Sequence, residues 1–361
     1  MSRGDEMNTV FAVVLTYNRK DLLKRSLDAI YAQTRRCDGV IVIDNASSDG
    51  TEAMLLAAGY PGLQLYVLSH NIGASGGFSA GFRLAFQKGA DFVWMMDDDV
   101  IAGPEALQRL VEADQLLESQ SIERAFLLST AFTENGLITN SPSVDNRRNR
   151  IDYETWPLTL EHGMLPVRRA TFVSILVPRA TLEEYGLPIA AMFIWGEDTE
   201  FTLRITGKVP GYIVGNSKVM HLRQENGAIN IMTENNPSRL KYHRHFFRNE
   251  IFVARKHYRN RRLIIAVLKQ LVLMFRLLRV GKPDKARIVF QGLLESREFY
   301  PTIEQASAPV EDLGVTMRSP TAPVNPQAVK QADCALDALP LHSEQLFDSL
   351  CDQGPARVLV R

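Results

Sequence analysis

Trp94-Met95-Met96-Asp97-Asp98-Asp99-Val100 places three consecutive carboxylates at the end of an apolar run that begins at Phe92. The run reads as a buried strand and the acids as its tip. Carboxylates this close together are costly unless something cationic sits against them. Two adjacent acids at a strand tip suit a hard divalent cation that also holds a diphosphate. In open α/β sheets, ligands bind at the carboxyl ends of strands. Taken alone, the triplet is equally a solvated acidic turn, so its surroundings decide.

Those surroundings alternate strand and helix. Residues 10–15 form a short apolar run, and Asp21 can cap a helix with Leu22, Leu23, Leu27, Ile30 and Tyr31 at helical spacing. Residues 40–43 form a second strand ending at Asp44-Asn45, and Ser48-Asp49-Gly50-Thr51 turns into a second helix. A third strand (63–68), a third helix (78–87) and the strand 92–96 follow, with the next helix expected from Pro104. The alternation predicts βαβ units and a mainly parallel sheet. Further strands are expected at 126–130 and 170–177, a polar loop at 140–150, and more regular structure over 203–213 and 217–222.

Composition sets outer limits. The 361 residues are 45% hydrophobic and 23% charged, ordinary for a globular protein. The formal net charge of +0 gives no global field for nucleic acid. Cys37, Cys334 and Cys351 are odd in number and far apart, which argues against a disulfide framework and fits a reducing compartment. The N-terminus has charges and no apolar core, and no stretch reaches the roughly 18–20 apolar residues of a spanning helix.

Four polar or Gly-rich clusters fall at predicted strand ends: Thr16-Tyr17-Asn18-Arg19, Asp44-Asn45-Ala46-Ser47, Asn71-Ile72-Gly73-Ala74-Ser75-Gly76-Gly77 and Asp97-Asp98-Asp99. Each by itself is compatible with a turn. In a parallel sheet the four lie along one edge. Together they supply a carboxylate for a base, a guanidinium for phosphate, a loop open to backbone approach, and a metal site. That is a nucleotide-diphosphate pocket. The glycine loop lacks the Gly-Lys-Ser/Thr of a P-loop and does not follow the first strand as a dinucleotide fingerprint does.

These residues resemble a family 2 glycosyltransferase of GT-A fold. The likeness is carried by Val14-Leu15-Thr16-Tyr17-Asn18-Arg19, by Val42 through Thr51, by Asn71-Ile72-Gly73 and by the acidic triplet. NIGASGGFSAG (71–81) followed by WMMDDD (94–99) is most similar to galactofuranosyltransferases and nearby rhamnosyltransferases. The resemblance spans roughly residues 10–235. It implies an α/β fold: Rossmann-like, mainly parallel, with helices on both faces.

It also implies roles. Phe193-Ile194-Trp195-Gly196-Glu197-Asp198-Thr199-Glu200-Phe201 matches the family's acidic motif, in which Asp198 takes the acceptor hydroxyl proton and Glu197 is a second base or acceptor contact. Without the family, Glu-Asp at a helix start is more often capping; either way the N-terminal dipole favours it. His221 corresponds to a histidine that ligates the metal opposite the triplet. A lone His among apolar neighbours is otherwise usually a satisfied core residue. The implied Mg²⁺ or Mn²⁺ would be held by Asp97, Asp99 and His221. The nucleotide-sugar set is Thr16, Tyr17, Arg19, Asp44, Asn45, Asn71, Gly73, Gly76, Gly77, Asp97, Asp98 and Trp195. Within it Asp44 reads the base, Thr16 and Arg19 the ribose and phosphates, and the glycines let backbone approach the sugar. Trp195 stacks on a sugar or is a core aromatic.

Residues 237–300 change character, with 16 Lys+Arg against 4 Asp+Glu, a balance of 16 − 4 = +12. Arg262, Lys269, Arg276 and Arg279 edge a wide apolar helical face. Such a helix suits an anionic membrane surface, at roughly 1 kcal/mol per basic residue. The alternative is packing on the catalytic domain or another subunit, which leaves room for a homo-oligomer. His243, His245 and His257 are expected at the surface or facing lipid. The chain is thus divided into 8–235 (GT-A domain), 236–300 (basic amphipathic helices) and 301–361 (a poorly ordered tail with a short helix near 343–350).

The reading is an inverting, metal-dependent transferase. It moves galactofuranose from UDP-galactofuranose, or rhamnose from dTDP-rhamnose, to a lipid-linked or polysaccharide acceptor. It is expected in the cytoplasm, peripheral on the inner face of the plasma membrane. Two other classes compete. A nucleotidyltransferase would carry a Gly-rich basic loop after the first strand, where Thr16-Tyr17-Asn18-Arg19 stands. A non-catalytic binding protein has no need of both acidic motifs.

Overall fold

The computed structural model describes residues 8–222 and 229–320. The parallel core is β1 (Val10–Thr16), β2 (Gly39–Asp44), β3 (Leu63–Leu68) and β4 (Phe92–Asp97), in the order β3-β2-β1-β4. Helices α1 (Lys20–Tyr31), α2 (Thr51–Ala58) and α3 (Gly73–Gln87) are the crossovers. Side chains alternate along each strand. Phe92, Trp94 and Met96 join the core under α1, while Val93 and Met95 join the core under α3. Burial on both faces is why the run reads as continuously apolar.

The second half extends the sheet. After β5 (Val100–Ala102) and α4 (Ala106–Ser119) come β6 (Leu127–Phe132), β7 (Ile138–Thr139), β8 (Ser143–Val144), β9 (Met164–Arg169) and β10 (Ser174–Pro178). Then α5 (Arg179–Tyr185), α6 (Glu197–Thr206) and β11 (Gly211–His221) complete it. β10 lies antiparallel between β4 and β6, and β11 runs parallel to β6. The helix expected from Pro104 begins later, at Ala106, because residues 100–102 first pair antiparallel with β11, setting Val100 opposite His221. That register brings a residue 122 positions away to the acidic triplet (221 − 99 = 122).

Four helices follow: α7 (Pro237–Leu240), α8 (His243–His257), α9 (Asn260–Arg279) and α10 (Pro283–Glu295). Phe252 and Val253 of α8 pack on Met192 and on Leu203 of α6. Phe247 packs on Leu277, Ala286 and Val289, joining α8 to α9 and α10. Among the described residues, no helix is long and apolar enough to cross a membrane.

Two expectations need correction. His243 and His245 are buried, and His257 lies against Glu200, so none of the three faces solvent or lipid. α8 presents them inward because its other neighbours are the acidic-motif helix and the turn before it. Residues 301–320 are not a loose tail either. Glu304 and the Pro309 carbonyl take the fully buried guanidinium of Arg83. A last strand, β12 (Met317–Arg318), pairs antiparallel with β3 and covers the sheet edge. The helix expected near 343–350 lies outside the described residues.

Candidate active site

The four strand-end clusters meet at one edge of the sheet. Thr16 at the tip of β1 donates its hydroxyl to Asp98 at 2.7 Å. Arg19 Nη1 lies 3.2 Å from Asp98 and 3.0 Å from Asp99. Asp98 is buried, and burial raises its carboxyl to about 6 despite Arg19. Asp97 is held well above the ordinary carboxylate range by burial and then by Asp99 and Asp98. Asp99 is also pushed up by burial, but the His221 ring and Arg19 prevail and hold it below its ordinary value.

His221 faces this triplet from β11. Its Nε2 lies 3.2 Å from Asp99 Oδ1, a buried oxygen with no hydrogen bond. Its Nδ1 lies 2.9 Å from Asn140 Oδ1, which also takes the Thr139 hydroxyl at 3.0 Å. With the Asn140 oxygen as acceptor, His221 Nδ1 donates to it and Nε2 is turned toward Asp99. With Nδ1 so held, Nε2 and Asp99 Oδ1 face each other as two ligands of one cation would. One ligand atom each from Asp97, Asp99 and His221 lie within 4.8 Å of one another. The donor set, two carboxylates and an oriented imidazole, fits a divalent cation such as Mn²⁺ or Mg²⁺. Sequence reasoning passed over Asn140 as part of a polar loop. Its left-handed backbone (φ 50) was the sort of detail that only coordinates supply.

Asp44, expected to read the base, is fully buried at the end of β2. One oxygen accepts the Ser47 N–H at 2.8 Å, and the other, buried, has no partner. Burial raises this carboxyl. Tyr17, at the β1 tip, is exposed.

Several residues assigned to the sugar nucleotide are spent on the protein instead. Asn45 donates to the Gly73 carbonyl and accepts the Ile72 N–H, both at 3.0 Å. Asn71 accepts the Gly73 N–H at 2.8 Å. These amides hold the chain leading into α3. Gly76 and Gly77 lie inside α3, where a Cβ would run into Ile72 and Leu15. Gly77 lets α3 pack on β1, and Gly76 makes room for Ile72 at the start of its own helix. Gly73 differs. Its φ is +78, and a Cβ would overlap the Phe193 carbonyl.

Across the cavity, Gly196 (φ 117) leads into α6, whose first two residues are Glu197 and Asp198. Asp198 accepts the Thr199 N–H, and burial raises its carboxyl to about 6 against Thr199 and the charge of Arg169. Burial and then Asp198 raise Glu197 to about 8, and one of its oxygens is buried without a partner. The charge of Glu197 adds to those that raise Asp97, so the acidic motif lies near the triplet. Trp195 is half-buried (φ 64), edge-on to His243 with centroids 5.0 Å apart, and the Arg239 guanidinium lies 5.9 Å from its ring. Five carboxylates, Asp97, Asp98, Asp99, Glu197 and Asp198, are thus set near one another, with the cations Arg19 and Arg169 beside them.

Residues 11–121 match the family model for "Glycosyl transferase family 2". Over that stretch the chain is similar to that family. Galactofuranosyltransferase GlfT1 of Mycobacterium tuberculosis is 32% identical over 201 residues, covering 55% of this chain and 64% of that protein. The protein of the same name from Mycolicibacterium smegmatis is 31% identical over 214 residues, covering 54% of this chain and 65% of that one. An undecaprenyl-phosphate mannosyltransferase of Micrococcus luteus is 35% identical over 106 residues, 29% of this chain and 43% of that protein. The chain thus covers less than two thirds of the length of the curated galactofuranosyltransferases it matches.

Proposed function

We propose that this glycosyltransferase moves galactofuranose, with inversion, from UDP-galactofuranose to a lipid-linked or polysaccharide acceptor of the cell surface. The observation that carries this reading is the Asp97–Asp99–His221 group with the Glu197–Asp198 pair close enough for the charge of Glu197 to reach Asp97. The likeness to two galactofuranosyltransferases supports the choice of sugar. A rhamnosyltransferase using dTDP-rhamnose is the alternative from the sequence motifs.

The division of labour follows from the environments. Asp44, with one unpartnered buried oxygen, can accept an imide N–H from uracil. Tyr17, exposed beside it, can close over the base. Thr16 and Arg19 line the ribose and phosphate path, and Arg19 can leave Asp98 and Asp99 for a phosphate. Asp97, Asp99 and His221 would hold a divalent cation, which when bound neutralises the leaving diphosphate. Asp98, bound to Thr16 and Arg19, steadies the turn that presents the other two. Asp198, at about 6, is ionised at neutral pH and takes the acceptor hydroxyl proton. Glu197, at about 8, keeps its proton there and can donate to an acceptor or donor hydroxyl. Trp195 offers its ring edge of the cavity as a wall for a sugar.

A lipid-linked acceptor also accounts for the outer face of α9. Ile264, Leu268, Val272, Phe275 and Leu278 are exposed there, beside Arg261, Arg262, Lys269, Arg276 and Arg279. Charge complementarity selects an anionic membrane surface for this face. A second copy would set one basic rim against another. The cytoplasmic leaflet, with the protein peripheral on it, is the matching location.

The test is transfer from UDP-galactofuranose and from dTDP-rhamnose to a lipid-linked glycan, with Mn²⁺ or with a chelator. Metal-dependent transfer of galactofuranose with inverted anomeric configuration is expected. Rhamnose transfer alone would replace the sugar, and metal-independent transfer would remove the triad's role.

A further inference from the structure

Asn249 lies in the middle of α8 and is completely buried. Its Nδ2 is 2.9 Å from the Met192 carbonyl, 3.1 Å from Ile194 and 3.0 Å from Trp195. Arg248 beside it donates to the Ala191 and Met192 carbonyls, each at 3.0 Å, and to Asn249 Oδ1 at 3.1 Å. Two adjacent side chains of one helix thus collect four successive or near-successive carbonyls of one turn. An amide has two hydrogens, so the three carbonyls share them, and Arg248 fills the amide oxygen.

The turn is one the chain would not adopt unaided. Phe193 and Trp195 sit at φ 66 and 64, each a strained conformation for a non-glycine residue. Gly196 follows at φ 117, and then come Glu197 and Asp198. On the opposite side the Phe193 carbonyl accepts the Ser75 N–H at 3.0 Å and rests against Gly73. The turn is therefore held between the first turn of α3 and α8. A second contact joins the same elements. Glu200 of α6, fully buried, meets Lys256 at 2.8 Å and His257 at 3.2 Å from α8.

We infer that Asn249, supported by Arg248, is a positioning residue for the Glu197–Asp198 carboxylates, so that α8 belongs to the transferase unit rather than being an appendage of it. The catalytic consequence rests on the proposed role of Asp198. The holding of the turn does not.

Asn249→Asp keeps the size of the side chain but turns a carboxylate toward three carbonyl oxygens. Transfer by this variant should lose about 100-fold in kcat, the cost of roughly 1 Å of misplacement, with the donor KM unchanged. Asn249→Ser, which keeps one donor, should recover part of the loss. Amide hydrogen exchange should quicken at residues 192–200 and at Ser75 and nowhere else. Gln270→Leu serves as the comparison. It removes a buried contact from α9 to the Phe247 carbonyl and Glu250, and should lower Tm while leaving kcat intact. An unchanged kcat in Asn249→Asp, or an equal kcat loss in Gln270→Leu, would overturn the inference. Should Asn249→Asp fail to fold, Asn249→Ser decides by the same readouts, and a wild-type kcat there overturns it. If the unaltered protein transfers neither sugar, the proposed function fails, and the exchange pattern alone still decides whether α8 holds the turn.

Discussion

His221 Nε2 stands 3.2 Å from Asp99 Oδ1, while Asn140 holds the other ring nitrogen at 2.9 Å. Outer partners of ligating histidines fix the tautomer and the ring orientation. Their removal typically lowers metal affinity by about 10–100-fold. Asn140→Ala should therefore weaken Mn²⁺ binding by that factor, measured by isothermal titration without nucleotide. His221→Ala should weaken it further. Wild-type affinity in Asn140→Ala would remove the orienting role from this contact.

The acid limb of the rate profile should belong to Asp198. Its carboxyl is raised to about 6, chiefly by burial, and only the ionised form can take a proton. Activity is thus present above that value and lost as pH falls through it. A plot of log kcat/KM for the acceptor should bend near pH 6 with a limiting slope of about one. Asp198→Asn should abolish transfer while UDP still binds. A variant that keeps both activity and the bend would place the base elsewhere, with Glu197 next in line.

Much of this site was legible in the sequence because its chemistry sits at strand ends, and strand ends follow from apolar runs. The run 92–96, buried on both faces, announced itself, and the triplet had to follow at the sheet edge. The contribution of α8 was not legible. Asn249 and Arg248 sit in a basic helix whose composition points to a surface, and only tertiary packing turns that face toward residues 191–195. The same packing buries His243 and His245 against expectation. Glycines misled in another way. Gly73, Gly76 and Gly77 look alike as letters, yet Gly73 makes a left-handed turn, Gly76 makes room for Ile72 and Gly77 lets α3 approach β1. The strand register that sets Val100 against His221 is long-range and leaves no local mark.

Gly73→Ala tests the left-handed turn. A side chain there meets an unfavourable φ of +78 and the Phe193 carbonyl at once. The conformational part alone costs about 1–2 kcal/mol, and the overlap must displace the turn that carries Glu197 and Asp198. Both Tm and kcat should fall. Gly59→Ala, also at positive φ but with open space around it, should lower Tm alone. Equal kcat in the two variants would detach the glycine loop from the placement of the acidic motif.

The outer face of α9 makes a prediction about surfaces. Its exposed apolar residues alternate with five basic ones, Arg261, Arg262, Lys269, Arg276 and Arg279. Each basic residue near an anionic bilayer contributes roughly 1 kcal/mol, screened beyond about 8 Å at physiological salt. The protein should therefore sediment with phosphatidylglycerol vesicles, release at high salt, and ignore phosphatidylcholine vesicles. Lys269→Glu with Arg276→Glu should abolish the binding, and Phe275→Ser should weaken it without changing the salt dependence. Because these positions lie away from Asn249 and the carboxylates, transfer to a soluble acceptor should be unaffected. Indifference to vesicle charge, together with a concentration-dependent mass in solution, would assign the face to a second copy of the chain.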